Sequence, residues 1–151
     1  WGLAVAPDPD PYYDAKVRLY SDLNTAAVFA TAMQNMGANG GGQEPTLDAI
    51  QMLVDPTNPL NVSWRANSRH VVVMFTDENP QSYTTVPNTA LTVFAAIQAA
   101  GVRVYVFTDS YQASVWQPAL PSGWGQLKVL TSVASVMEAE LNTVVQEVSC
   151  H

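Results

Sequence analysis

The sequence predicts an α/β fold, an open and mostly parallel doubly wound sheet with helices on both faces. Three observations predict it. Short apolar runs alternate with segments whose apolar residues recur at helical spacing. Two of the runs, 71–75 and 102–107, are continuous strands, apolar on both faces apart from Arg103, the pattern of strands buried in a parallel sheet. Both stop abruptly at the same polar pair, Thr76-Asp77 and Thr108-Asp109. Such an alternation needs helices on each side of one sheet, and ligands of such sheets bind beyond the carboxyl ends of the strands, where both pairs lie.

Taken in order, residues 2–6 (GLAVA) form a short strand halted by the turn-rich Pro7-Asp8-Pro9-Asp10-Pro11. In Lys16-Val17-Arg18-Leu19-Tyr20 apolar and charged residues alternate, so Val17 and Leu19 face a core on an edge strand. The period then changes. Leu23, Ala27, Ala30 and Met33 fall at helical spacing after a Ser21/Asp22 cap, in an Ala-rich helix suited to close packing that Gly37 stops. Residues 37–43 have too little side chain to pack and read as a loop. Pro45, at a first helical position, restarts a helix whose apolar face is Leu47, Ile50 and Val54 and which ends at Asp55-Pro56. Residues 57–68 carry turn residues and read as a surface crossover, after which His70 opens the strand Val71 to Phe75. A helix over about 88–100 stops at Gly101. The strand 102–107 follows, then a shorter one over 127–130. Ser132 caps a last helix with Val133, Met137, Leu141, Val144 and Val148 on one side.

The 151 residues suit one domain, and 48% apolar against 13% charged is the balance of a packed chain. A net charge of −7 repels phosphate backbones and anionic lipid, which excludes nucleic acid as a partner. The longest apolar stretch, 90–100, is interrupted by Thr92 and Gln98 and falls short of the roughly 20 residues that span a bilayer. Opening at Trp1 without a basic or signal-like start, the sequence reads as a mature or processed piece. A single Cys150 excludes an internal disulfide and any CxxC motif. It is either a free terminal thiol or half of a bridge to a cysteine outside the chain.

Two carboxylates stand out. Asp77 is delivered by a rigid strand to the rim of the sheet, and Glu44 immediately precedes a helix start, where unpaired N–H groups favour an ionised group. Carboxylate and hydroxyl oxygens select hard cations such as Mg²⁺, Ca²⁺ or Mn²⁺. By spacing alone, a solvated strand end and a helix cap are the better account of the pair.

The order and spacing of three motifs add to this. Gln43-Glu44-Pro45-Thr46-Leu47-Asp48-Ala49-Ile50, Trp64-Arg65 and the strand ending Thr76-Asp77 resemble the von Willebrand factor A (vWA) domain. The nearest branch is the integrin β I-like domain, with its E-G-G-F-D-A-I stretch, W-R pair and strand ending T-D. Pro45-Thr46 departs from that branch, which has two glycines there. The resemblance implies that Glu44 and Asp77 match two of the three loops of a metal-ion-dependent adhesion site, where a ligand's carboxylate completes the shell of a divalent cation. Thr46 falls near the Thr-bearing loop of the integrin α branch and is a weaker candidate. Glu78 and Asn79, beside Asp77, and Asp8, Asp10, Tyr12 and Tyr13, which occupy the place of a specificity-setting loop, are candidate ligand-contacting residues. Asn39 matches a ligand of a second integrin-type site, but Gly41 stands where an aspartate is expected, so no second metal is assigned.

The family's D-x-S-x-S loop and its strand have no counterpart in residues 1–151. In the family that strand lies between those matching 2–6 and 70–75. Its loss exposes unpaired backbone groups, at roughly 1–3 kcal/mol per unsatisfied buried group. The chain is therefore expected to be the carboxy-terminal part of a larger domain. An N-terminal segment of the same domain or a second chain would complete the sheet, tethered through Cys150. The function expected is a non-catalytic adhesion or protein-interaction module, extracellular or at the cell surface, whose protein or matrix partner presents a carboxylate to a bound Mg²⁺ (or Ca²⁺ or Mn²⁺). The alternatives are a structural vWA domain with an incomplete metal site and a metal-dependent hydrolase on a similar sheet.

Other patterns carry less. Gly40-Gly41-Gly42 lacks the lysine of a phosphate loop, and no G-x-S-x-G elbow or nucleophile-base pair occurs. Asp109 reads as a loop cap. Trp116 and Trp124 are either exposed recognition aromatics or core residues. Asn61-Val62-Ser63 is a glycosylation sequon, meaningful in a eukaryotic secretory protein.

Overall fold

The computed structural model describes residues 1–6, 17–36 and 44–149. Among them the chain forms, in order, β1 (Leu3–Val5), β2 (Arg18–Ser21), α1 (Ala26–Asn35), α2 (Thr46–Val54), β3 (Val71–Phe75), α3 (Ala90–Ala100), β4 (Arg103–Thr108), α4 (Ala113–Trp116), β5 (Gly125–Val129) and α5 (Ala134–Ser149). A single 3₁₀ turn, Gln117–Ala119, follows α4. The elements fall into two units, residues 1–66 with 80–89 and residues 67–79 with those from 90 onward.

In the first unit β1 and β2 pair antiparallel, Ala4 opposite Leu19 and Val5 opposite Arg18. Val17 and Leu19 are half-buried and Arg18 is exposed, as the alternation predicts. The cap of α1 differs from expectation, since it is Thr25, whose hydroxyl accepts the Val28 N–H at 3.4 Å. Ser21 is unavailable because its backbone belongs to the β2 ladder opposite Leu3. The Asp22 carboxylate is engaged by the N–H groups of Leu23 at 2.7 Å and Ser63 at 2.8 Å. The close packing expected of α1 is not seen either, because none of its side chains is fully buried and Val28 and Met33 are exposed. The stop at Gly37 lies outside the described residues.

Pro45 is the N-cap of α2, one position before the first helical residue. Leu47, Ile50 and Val54 are buried as expected. The helix ends at Asp55, whose carboxylate accepts from the N–H and hydroxyl of Thr57, both at 2.7 Å. The following crossover is built on asparagine. Asn58 and Asn61 adopt positive φ, and the Asn58 amide both donates to the Val62 carbonyl and accepts its N–H at 2.9 Å, which draws Val62 inside.

In the second unit β3, β4 and β5 form a parallel sheet in that order. Val72 lies opposite Val104 and Val106 opposite Leu127. The central strand β4 is buried on both faces from Val104 to Thr108. Tyr105 and Phe107 point to α5, where Val144 is buried with them and Val71, Val73, Leu130, Met137, Leu141 and Val148 close the cluster. Val133, expected on that face, precedes the helix and is exposed. Val104 and Val106 alternate to the opposite face. In the same unit α3 buries Val93 and Ile97 and packs against the 3₁₀ turn. The expectation for β3 needs correction: of its five residues only Val72 is fully buried, and Phe75 is 52% exposed. Among the described residues β3 has β4 as its only strand neighbour, so it is an edge.

Charge pins α5 in place. Lys128 lies 3.6 Å from both Glu140 and Glu147, and the Tyr105 hydroxyl donates to Glu147 at 3.0 Å. Burial, and after it the Glu147 carboxylate, raises the pKa of Tyr105. The last turn of α5 has no basic residue of its own. Arg103 and Arg69 supply the charge, donating to the carbonyls of Glu147 and Val148 at 3.3 Å.

Candidate functional site

The carboxyl rim of the parallel sheet is built from two turns that open with the same dipeptide. After β3, the Thr76 N–H donates to the Phe107 carbonyl at 3.0 Å, extending the pairing with β4 by one residue. The buried Thr76 hydroxyl then accepts the Glu78 N–H at 3.0 Å. The Trp116 indole donates to the Glu78 carbonyl at 2.9 Å. Asp77 stands between these anchored residues and is exposed. After β4, Asp109 turns its carboxylate inward to the N–H groups of Tyr111 at 2.9 Å and Gln112 at 2.8 Å, so it caps its own loop, as its sequence context suggests. Between the two turns lies Thr108, buried at the end of β4, whose hydroxyl has no hydrogen-bond partner among the described residues.

In the first unit the other sequence candidates surround the start of α2. Glu44 is half-buried and its carbonyl accepts the Thr46 N–H at 2.8 Å. Thr46 is 2% exposed, and its hydroxyl accepts the Gln81 N–H at 2.9 Å while the Leu47 N–H returns to the Gln81 carbonyl. Beside it Asp48, also 2% exposed, is the hub of the segment 80–89. Its carboxylate accepts from the Ser82 hydroxyl, from the Tyr83 N–H at 2.8 Å and from the Asn88 amide at 2.6 Å. The Ser82 hydroxyl in turn accepts the Asn88 N–H at 2.8 Å. A buried carboxylate with that many donors is satisfied in place.

Of the candidates named from sequence, Asp77, Glu78 and Asn79 share the turn after β3, with Glu78 half-buried and Asn79 exposed. Glu44 and Thr46 belong to the first unit. Asp8, Asp10, Tyr12 and Tyr13 lie outside the described residues, as do Asn39, Gly41 and Cys150. Among the described residues no group of three or more His, Cys, Asp or Glu is set to hold a metal ion. The donors on hand are carboxylate and hydroxyl oxygens, which fit a hard cation and not a soft one. Of them Asp77 offers an exposed carboxylate, whereas the Thr46 hydroxyl is already engaged in the packing of its unit. Of the two tryptophans, Trp116 is wholly buried and Trp124 half-buried, so Trp116 belongs to the core.

Sequence reasoning assigned no role to Asp48 or to the Trp116 indole. A trace of the first was present, an aspartate flanked by Leu47, Ala49 and Ile50 in the first turn of a buried helix. The second left none, because the bond runs between residues 38 apart in sequence.

The family model of the von Willebrand factor type A domain matches residues 12–145. The chain belongs to this family. Its parallel sheet with helices on both faces is the vWA architecture, in agreement with the fold class read from the strand–helix alternation. Domains of the vWA family are generally non-catalytic modules of protein interaction, often extracellular, and membership suggests an interaction role for this one. No curated protein and no solved structure matches the chain significantly. Among the described residues no helix is long and apolar enough to cross a membrane.

Proposed function

We propose that this vWA domain is an adhesion or interaction module that binds a partner's acidic group through a divalent cation, Mg²⁺ or else Mn²⁺ or Ca²⁺, held at Asp77. The observation that carries the reading is the turn itself: an exposed carboxylate at the carboxyl rim of a parallel sheet, between two residues whose backbone is tied to the protein. A hard cation there would exchange a water for a partner's carboxylate oxygen, which gives binding without a reaction. Glu44 as a second ligand comes from the family resemblance alone. Calorimetric titration of the chain with Mg²⁺, Mn²⁺ and Ca²⁺ tests the proposal. Uptake of one ion, abolished by Asp77→Ala and weakened by Glu44→Ala, is the expected outcome. A chain that takes up no ion is instead the structural vWA domain, working in an assembly through its surface.

The edge of β3 supports a second part of the proposal. Its five residues are all apolar, with no charge, proline or bulge to protect them, and Phe75 at its end is half-exposed while stacked on Phe107 at 4.9 Å. We infer that a strand supplied from outside residues 1–151, by the same domain or by a second chain, pairs with this edge, and that Cys150 can tether it. Native mass spectrometry of material purified without reductant checks this. A complex heavier than 16.3 kDa that shrinks on reduction is expected, and a cooperatively folded monomer of that mass contradicts it.

A further inference from the structure

We propose that Trp116 is a positioning residue for the Asp77 turn, an inference that rests on the reading of Asp77 as the partner-binding carboxylate. A turn of three residues at a strand end is held only where its backbone groups find partners. Here the sheet holds the first residue through the bond from the Thr76 N–H to the Phe107 carbonyl, and the Thr76 hydroxyl holds the Glu78 N–H. A third bond acts on the peptide that follows Glu78. The indole N–H fixes it by donating to the Glu78 carbonyl. None of these three bonds uses the Asp77 carboxylate, so the turn is rigid while that group stays exposed.

The indole can do this because it is itself immobile. Trp116 is wholly buried and ends α4, and the loop that leads into this helix is tied down by the Asp109 carboxylate. Beyond it the chain is locked to the central strand. The Gly125 N–H donates to the Pro121 carbonyl at 2.8 Å, and the Val104 N–H to the Trp124 carbonyl at 2.8 Å. A Cβ at Gly125 would lie 2.7 Å from the Leu120 Cβ, so this closure requires glycine. The segment 109–125 is thus a buttress on β4, and the indole N–H carries its rigidity to the turn after the neighbouring strand.

In the full chain, Trp116→Phe keeps a ring in the cavity and removes the N–H. Amide exchange of residues 77–79 is expected to quicken about fivefold, the net effect of one lost hydrogen bond, while β4 keeps its protection and the affinity for Mn²⁺ falls severalfold. In the wild type, Mg²⁺ is expected to shift the Trp116 indole resonance more than those of Trp1, Trp64 and Trp124. Unchanged exchange, or quickened exchange with unchanged Mn²⁺ affinity, overturns the inference. A wild type that takes up no Mn²⁺ defeats the cation reading separately. In that case the exchange comparison alone decides whether Trp116 holds the turn. Should the variant not fold, exchange of the wild-type indole N–H decides the matter: opening together with the amides of 77–79 supports the inference, and independent opening overturns it.

Discussion

The turns after β3 and β4 begin with the same two residues and come to opposite ends. Asp109 directs its carboxylate into its own loop and caps Tyr111 and Gln112. Asp77 is left exposed, because Thr76 and the distant Trp116 satisfy the backbone of its turn. A Thr-Asp pair at a strand end therefore does not by itself mark a binding group. What decides is whether another acceptor relieves the carboxylate of structural work, and here the Thr76 hydroxyl does so by taking the Glu78 N–H. Asp48 is the limiting case of the Asp109 type, buried and engaged by Ser82, Tyr83 and Asn88.

The largest effect is expected where a carboxylate is wholly engaged. Asp48→Ala leaves the part-buried Tyr83 N–H and Asn88 amide without their acceptor, and at the lower end of about 1–3 kcal/mol for each group left unpaired the loss should be about 2 kcal/mol or more. Urea unfolding measures it, and a change under about 0.5 kcal/mol, the level of a surface substitution, would break the distinction between engaged and available carboxylates. Asp109→Ala should cost about 1 kcal/mol, the net effect of losing its loop hydrogen bonds, and leave cation uptake unaltered. Asp77→Ala should do the reverse, with stability held within about 0.5 kcal/mol.

The smallest effect concerns Asp22, another engaged carboxylate. The hydroxyl and N–H of Ser63, with a lesser contribution from the Leu23 N–H, hold its pKa below the ordinary 3.8. A depressed folded-state pKa adds stability that is present above the unfolded value and is lost as pH falls through the folded one. Ser63→Ala should raise the Asp22 pKa toward 3.8 and move that loss to higher pH, which carbon-detected NMR titration reads directly.

Much of the fold was legible because burial writes a period into the chain. The apolar run Val104 to Phe107 of β4, the Leu47, Ile50 and Val54 face of α2 and the Met137 to Val148 face of α5 were all readable in this way. What the period could not convey was competition for a group. Ser21 looked like a cap until the β2 ladder claimed it, and Asp22 until Ser63 did. The run in β3 reads like that in β4, yet burial on both faces depends on neighbours that local sequence does not name. Asp77 was legible as a strand-end carboxylate. The bond that holds its turn was not, since it joins two segments whose proximity exists only after folding.

The central claim is that, of the two matched strand-end carboxylates, Asp77 alone is free to take a cation. Calorimetric titration of Mn²⁺ into the wild type, Asp77→Ala and Asp109→Ala under one set of conditions tests it most directly. The account predicts one ion bound by the wild type and by Asp109→Ala, and none by Asp77→Ala. Equal uptake by all three, or uptake lost in Asp109→Ala and kept in Asp77→Ala, would contradict it.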